Sequence, residues 1–431
     1  MDYLLPLILG ASSLALSGVS LERLVDHDVT PPAGVQGAFL INGVPPVPCR
    51  DRVLFNGFGF LSSREIGLYA ASTAGLEIVA NVSTPVPGTD GTFAGASEQV
   101  CVDAGIIFAG GDDDPVNRVG GAYLWSAGTI ETILELGTTI GNLTLTGFSQ
   151  SGLAGNGSLV AMKARMSGPS GPLDALLLQE LGGAPRIVLT DDQILPGQSQ
   201  PVTIFGSPTA VLHNGVVFHA RTSANLGIYQ WTTTGGLAVI ADNATPVPPP
   251  LTGTFRRFGI GPVVLDEGIV FSAEHASGED LFIARAGQIE RLVGAGDVTT
   301  DGETLERATF PSGAGSLLSF VGQASEGPSP TVFVRAQDGS IQRLVGRGDT
   351  LDGRIVQAQD IFGLVLLHGA DRQTVAVMVG FQEPPTRAIY RASFPTTATA
   401  LEIPALSWTG LAVLVLALVA TGTWYLARRS S

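Results

Sequence analysis

Residues 215–248 read GVVFHARTSANLGIYQWTTTGGLAVIADNATPVP, and this stretch decides the fold. It holds three short apolar runs: GVVFHA around Phe218, GIYQWT around Tyr229 and LAVIAD from Leu237. Each has the length and the β-branched or aromatic content of a strand, and the Asn214-Gly215 turn introduces the first. A proline-rich loop, ATPVPP near Pro246, closes the unit.

The same order recurs along the chain. A small–apolar–aromatic strand is found at Tyr69, Tyr123, Tyr229, Phe282, Phe333 and Tyr390, and Leu177 stands in the aromatic place of the third copy. Neighbouring copies lie 54, 54, 52, 53, 51 and 57 residues apart. A shorter strand precedes each one, centred on Phe55, Phe108, Met162, Phe218, Phe271, Phe320 and Met378. An alternating strand follows, as in LEIVAN from Leu76, IETILE from Ile130, PRIVLT from Pro185, IERLVG from Ile289 and IQRLVG from Ile341. Gly- and Phe-rich stretches such as 255–262 supply the expected innermost strand. Four strands in a unit of about 50 residues make the blade of a propeller.

The two ends complement one another. The third-strand pattern occurs once more as SLERLVDHDVTPP from Ser20, while AIYRASF, Ala388 to Phe394, has no strand after it. Pairing Ser20 to His27 with Ala388 to Phe394 closes a ring of seven whole blades with no free edge. The predicted fold is therefore all-β: a seven-bladed β-propeller over residues 19–394, closed by its N-terminal strand, plus one C-terminal transmembrane helix. In its "G-x-V-A-F" and "G-I-Y" strands the repeat resembles bacterial secreted tandem-repeat β-propellers. That likeness covers residues 20–394 and is nearly silent on activity, because the fold hosts unrelated chemistries.

Composition agrees with many short strands. The chain of 431 residues is 45% hydrophobic and 14% charged, with 56 Gly and 27 Pro as punctuation. A net charge of −15 with only 23 Lys and Arg repels phosphate backbones, so no nucleic acid is an expected partner.

Both termini read as targeting segments. Residues 1–18 carry the apolar stretch Leu4 to Leu16 and small residues around Ser13 to Gly18, as a signal peptide does, although acidic Asp2 stands where a basic start is usual. The alternative is an extra apolar strand. A spacer, 395–405, leads to the uncharged apolar run 406–426, long enough to span a bilayer. Arg428 and Arg429, in the basic tail 427–431, are expected to stay cytoplasmic and leave the body outside.

The tail Ile403, Pro404, Ala405, Leu406, Ser407, Trp408, Thr409, Gly410 resembles a bacterial C-terminal sorting signal of the IPTL type. The resemblance implies recognition, and processing, by an exosortase-like membrane protease. Ala405 replaces the usual Thr, Trp408 comes early, and Thr409 separates it from Gly410.

Candidate chemistry is sparse. Cys49 and Cys101 lie one repeat apart, each just before a core strand; they either staple neighbouring blades or stand as two buried thiols. Asp112, Asp113 and Asp114 form an acidic loop that is a weak candidate for Ca²⁺; the spacing matches no calcium loop and favours a solvated turn. Arg347-Gly348-Asp349 spells an adhesion tripeptide, but Gly296-Asp297 holds the same place one repeat earlier, so it reads as part of the turn. Among His27, His213, His219, His275 and His368 no pair has metal-ligand spacing.

No catalytic set emerges. The expectation is an envelope binding module for a protein or polysaccharide, with no cofactor. An axial hydrolase or lyase and a structural matrix component are the alternatives.

Overall fold

A computed structural model describes residues 19–26, 31–33, 35, 37–42, 44–59, 66–112, 119–223, 225–259, 261–325, 330–357, 366–370, 374–381 and 386–394. The chain divides into two units, Met1–Ser393 and Phe394–Ser431, and the propeller is the first. The signal-peptide segment 1–18, the spacer 395–405, the apolar run 406–426 and the basic tail 427–431 all lie outside the described residues. Among the described residues no helix is long and apolar enough to cross a membrane.

Each repeat folds into one antiparallel sheet whose strands follow chain order from the axis outward. The fourth blade is typical: Ile204–Leu212 is innermost, followed by Gly215–Arg221, Leu226–Thr232 and Gly236–Asp242. In the fifth blade the innermost strand is split into Arg257–Phe258 and Val263–Leu265, followed by Gly268–His275, Gly278–Arg285 and Gln288–Val293. The sixth runs Leu305–Ala314, Leu317–Ala324, Thr331–Arg335, Ile341–Gly346. The seventh joins Leu366–Ala370, Thr374–Phe381 and Thr386–Ser393 to the N-terminal strand Leu21–Asp26. Leu21 lies opposite Ala392 and Asp26 opposite Ala388, so the N-terminal strand closes the ring as its sequence predicts.

The core is built from the pairs that define the repeat. Phe55 faces Tyr69, Phe108 faces Tyr123, Met162 faces Leu177, Phe218 faces Tyr229, Phe271 faces Phe282 and Phe320 faces Phe333. All are buried. Each such side chain contributes roughly 1.5–3 kcal/mol by leaving water. A third ring, Phe39, Phe93 or Phe255, meets Tyr69, Tyr123 or Phe282 edge-on at 4.9–5.0 Å, the geometry that aromatic quadrupoles favour. The seventh blade departs by one residue: Val377, not Met378, lies opposite Tyr390. Val and Met are both apolar here, so hydrophobicity alone does not set this register.

Every outermost strand carries a bulge at the same place. The residue skipped is Leu24, Val79, Ile133, Val188, Ile240, Leu292 or Leu344, next to the partner of the core residue. A bulge increases local twist. Its recurrence in all seven blades, the closing one included, marks it as part of the blade plan.

Alternation of strand direction gives the ring two faces. One carries the tight hairpins that join innermost to second and third to outermost strands; we name it the hairpin face. The other carries the remaining hairpins and the crossovers between blades, and is the crossover face. The third strand of the seventh blade ends at Ser393 on the hairpin face.

The crossovers share a clasp. The N–H of Asn81, Thr190, Asp242, Gly294 or Gly346 donates to the side chain three residues on: Thr84, Gln193, Thr245, Asp297 or Asp349. The chain then turns back, and Phe93, Leu145, Val202, Phe255, Leu305 and Val356 each donate a backbone hydrogen bond into the turn. All six are buried. In blades two to six the turn thereby delivers the innermost strand in one register.

Cys49 and Cys101 are joined in a disulfide, with Cα atoms 5.3 Å apart, which staples the first blade to the second. The Arg50 guanidinium donates to the Asp103 carbonyl beside it.

Candidate functional site

The innermost strands line the axis, and they are the least regular part of each blade. Register breaks at Ser97/Val100, Phe148/Leu153, Phe205/Pro208 and Thr309/Ser312, while the first and fifth blades split theirs into two pieces. Two residues in these breaks hold a left-handed backbone without being glycine: Glu98 (φ 59°) and Phe310 (φ 50°). Such conformations cost about 1–3 kcal/mol each and persist only where surrounding structure imposes them. Glu98 accepts a hydrogen bond from the Gly152 N–H of the next blade, and burial pushes its carboxyl up to about 7. Phe310 stays 39% exposed, unusual for a large apolar residue on an innermost strand.

The rim of the fifth and sixth blades gathers charge. Arg257 follows the clasp residue Phe255 by two, and Arg307 follows Leu305 by two, so they occupy equivalent places at the crossover end of adjacent innermost strands. Both are exposed, and neither has a salt-bridge partner among the described residues. Arg257 lies opposite Glu274, and Glu274 opposite Glu279, so the three side chains share one face of the sheet. Burial pushes the Glu279 carboxyl above the usual carboxylate range; Arg307 and Arg257 pull it back, while Glu274 and Asp280 push it further up. A Cβ built on Gly259 would lie 1.9 Å from Ser272 Oγ and 3.6 Å from Glu279 Oε1, so any side chain here requires the Ser272 hydroxyl to move. Ser272 Oγ is itself buried with no partner among the described residues. Two guanidinium forks beside a half-buried glutamate suit an anionic ligand that also brings hydrogen-bond donors.

The other candidates are committed elsewhere. Asp349 accepts from the Gly346 N–H at 2.7 Å and from Arg343 at 2.8 Å, so the Arg347-Gly348-Asp349 turn spends its carboxylate on the clasp. Asp112 accepts from the Val119 N–H at 2.9 Å and closes its own loop; Asp113 and Asp114 lie outside the described residues. No group of three His, Cys, Asp or Glu side chains suited to a metal occurs among the described residues.

Around His275, Ser277 Oγ stands 3.1 Å from Nδ1 and Asp280 Oδ2 stands 3.1 Å from Nε2. The Ser277 N–H also points at Nδ1, at 3.3 Å, so Nδ1 is the acceptor and Nε2 carries the proton toward Asp280. Asp280 further accepts from Arg291 at 2.8 Å and from the Ala295 N–H at 2.9 Å. This buried chain of bonds ties the hairpin to the crossover clasp, and its carboxylate is fully spent. His219 lies on a second strand, its Nε2 buried with no partner among the described residues, and burial pushes its imidazole down to about 4. His27 lies outside the described residues and His368 sits on Leu366–Ala370.

An open cleft of about 850 Å³ lies at the side of the ring between the fourth and fifth blades, lined by Val239, Pro248, Pro249, Val264 and Ile289. Its charges are paired: Arg285 with Glu290, and Arg335 with Glu267 at 2.8 Å. The rim arginines have no salt-bridge partner among the described residues, which is equally true of exposed Arg221, Arg256 and Arg347; what sets Arg257 and Arg307 apart is their equivalent place on adjacent innermost strands.

Sequence reasoning passed over Arg257 and Arg307. Aligning TFRRF (254–258) with TLERA (304–308) on the clasp residue brings the two arginines into register.

No protein-family model and no curated protein matches the chain. Among solved structures, an oligogalacturonate lyase in complex with manganese is similar over 88% of this chain and 98% of its own, at 11% identity and a TM-score of 0.49. TolB from Acinetobacter baumannii is similar over 82% and 80%, at 13% identity and a TM-score of 0.33. Prolyl oligopeptidase B from Galerina marginata is similar over 84% of this chain at 10% identity and a TM-score of 0.46, and the chain spans 50% of that protein's length.

Proposed function

We propose that this chain is an exported propeller, held at the cell envelope through its C-terminal apolar segment, that binds a partner at the crossover end of its axis. The observation that carries the binding role is the pair Arg257 and Arg307: two exposed cations at equivalent strand positions, without salt-bridge partners among the described residues, in a chain of net charge −15. A surface charge that serves only solubility has no reason to repeat in register. Export is supported by the disulfide, because such bonds persist in oxidising compartments.

The test is retention. The purified full chain, immobilised and incubated with the envelope fraction of its own cells, is expected to hold a component that the Arg257→Gln/Arg307→Gln variant releases. Arg186→Gln, on an outermost strand, serves as the control. Failure of the native chain to retain any envelope component overturns the binding role.

Glu279 carries a second reading, an envelope polysaccharide lyase. A carboxyl that burial holds above its usual range, within the field of Arg257 and Arg307, is suited to take the proton from the carbon beside an arginine-neutralised carboxylate, while the glycosidic C–O bond one carbon further breaks to leave the double bond and its oxygen departs with a proton from solvent. Unsaturated sugar ends appearing in ultraviolet absorbance, and absent with Glu279→Gln, would establish it; their absence with the native chain leaves binding alone.

A further inference from the structure

We propose that the rim of the fifth and sixth blades binds an acidic polysaccharide, with Arg257 and Arg307 taking sugar carboxylates and Phe310 offering its ring to a sugar face. This rests on the binding role given above and names its ligand.

The rim is not a plain basic patch. Two exposed cations share it with Glu274 and Glu279, whose carboxylates stand in the same row as Arg257. A polyphosphate brings anions only and meets repulsion from both glutamates. A neutral glycan brings hydroxyl donors only and leaves both guanidinium groups unused. A uronic-acid polymer brings both on every ring: a carboxylate that matches the planar fork of arginine, and hydroxyls that donate to carboxylates. Its linear charge is also far lower than that of nucleic acid, which carries one charge per about 1.7 Å of axis. The overall negative charge of the protein is screened within about 8 Å at physiological ionic strength, so the local pair decides.

Phe310 adds the third element. It lies three residues beyond Arg307 on the same innermost strand, at the strand break, and its left-handed backbone keeps a large apolar side chain partly in solvent. An exposed ring three residues from Arg307 on the same strand suits the apolar face of a pyranose. The same exposure is hard to justify as packing, since the equivalent break in the second blade places Glu98 there.

The experiment uses the intact chain and three probes: polygalacturonate, its fully methyl-esterified form, and poly-glutamate. Saturable binding is expected to polygalacturonate, at least tenfold weaker to the ester, and weaker still in high salt. Arg257→Gln/Arg307→Gln is expected to lose tenfold or more, and Phe310→Ala about three- to tenfold, with unchanged circular dichroism. Equal binding to the ester overturns the proposal, and that comparison needs no variant, so a misfolded variant does not shelter it. Tighter binding to poly-glutamate than to polygalacturonate assigns the rim to an acidic peptide instead. Retention of envelope material without polygalacturonate binding refutes the glycan and keeps the binding role; retention of neither refutes both.

Discussion

Blades two to four and blades five and six share one backbone plan but finish their rims differently. At the place two residues past the clasp, the first group has Gly95, Gly147 and Ile204, and the second has Arg257 and Arg307. In all five, that residue pairs with the second-strand residue three beyond the core position: Gly111, Arg165, Arg221, Glu274 and Gln323. The fold thus sets where the side chain sits and makes little use of what it is. Chemistry can be written at such positions without disturbing the ring, and the arginines are written where the scaffold leaves freedom.

The largest stability effect is expected where the two halves differ in covalent support. The first and second blades are stapled by Cys49–Cys101, closing a separation of 52 residues, whereas the fifth and sixth meet through non-covalent contacts such as the Arg335–Glu267 ion pair. Cys49→Ser/Cys101→Ser should lower unfolding stability by about 2–4 kcal/mol in denaturant titrations. Hydrogen exchange should then rise first in the first two blades and leave the rim of the fifth and sixth unchanged.

Next comes a pair of glycines. Gly259→Ala drives a Cβ into Ser272 Oγ and should cost about 1–3 kcal/mol. Gly95→Ala has its nearest neighbour at 4.0 Å and should change stability by no more than about 0.5 kcal/mol. Equal costs at the two sites would break the contrast between an occupied and an open rim.

The smallest effects are pH slopes of opposite sign. Glu98 is pushed up to about 7 in the folded chain, so its ionisation opposes folding. Its contribution is intact below the ordinary glutamate range and is lost as pH rises through about 7. Glu98→Gln should therefore raise the thermal midpoint by about 1–3 °C at pH 8 and leave it unchanged at pH 4.5. His219 is pushed down to about 4, so its contribution is intact above the ordinary imidazole range and is lost as pH falls toward about 4. His219→Leu should remove that acid-side loss and also relieve the unpartnered Nε2. Midpoints measured between pH 4.5 and pH 8 check both signs.

The repeat itself was legible because Phe218, Tyr229 and their counterparts lie on second and third strands with unbroken alternation. The closing strand was legible for the same reason, through LERLVD at 21–26. The innermost strands were legible only in part: the stretch 255–262 contains Arg257–Phe258 of the fifth blade, whereas breaks at Glu98 and Phe310 interrupt the period of two that strand recognition needs. The cysteines showed a spacing of one repeat but not their geometry, which depends on how two blades pack. Arg257 and Arg307 were hidden in RR and ER dipeptides, where nothing local separates a rim residue from a loop residue. Their equivalence emerges only when the buried Phe255 and Leu305 are taken as the origin.

A crystal structure of the protein with a galacturonate oligomer tests the account most directly. It predicts sugar carboxylates on Arg257 and Arg307 and a ring against Phe310. An oligomer seated instead in the side cleft near Val239, or no sugar at the rim under saturating conditions, would contradict it.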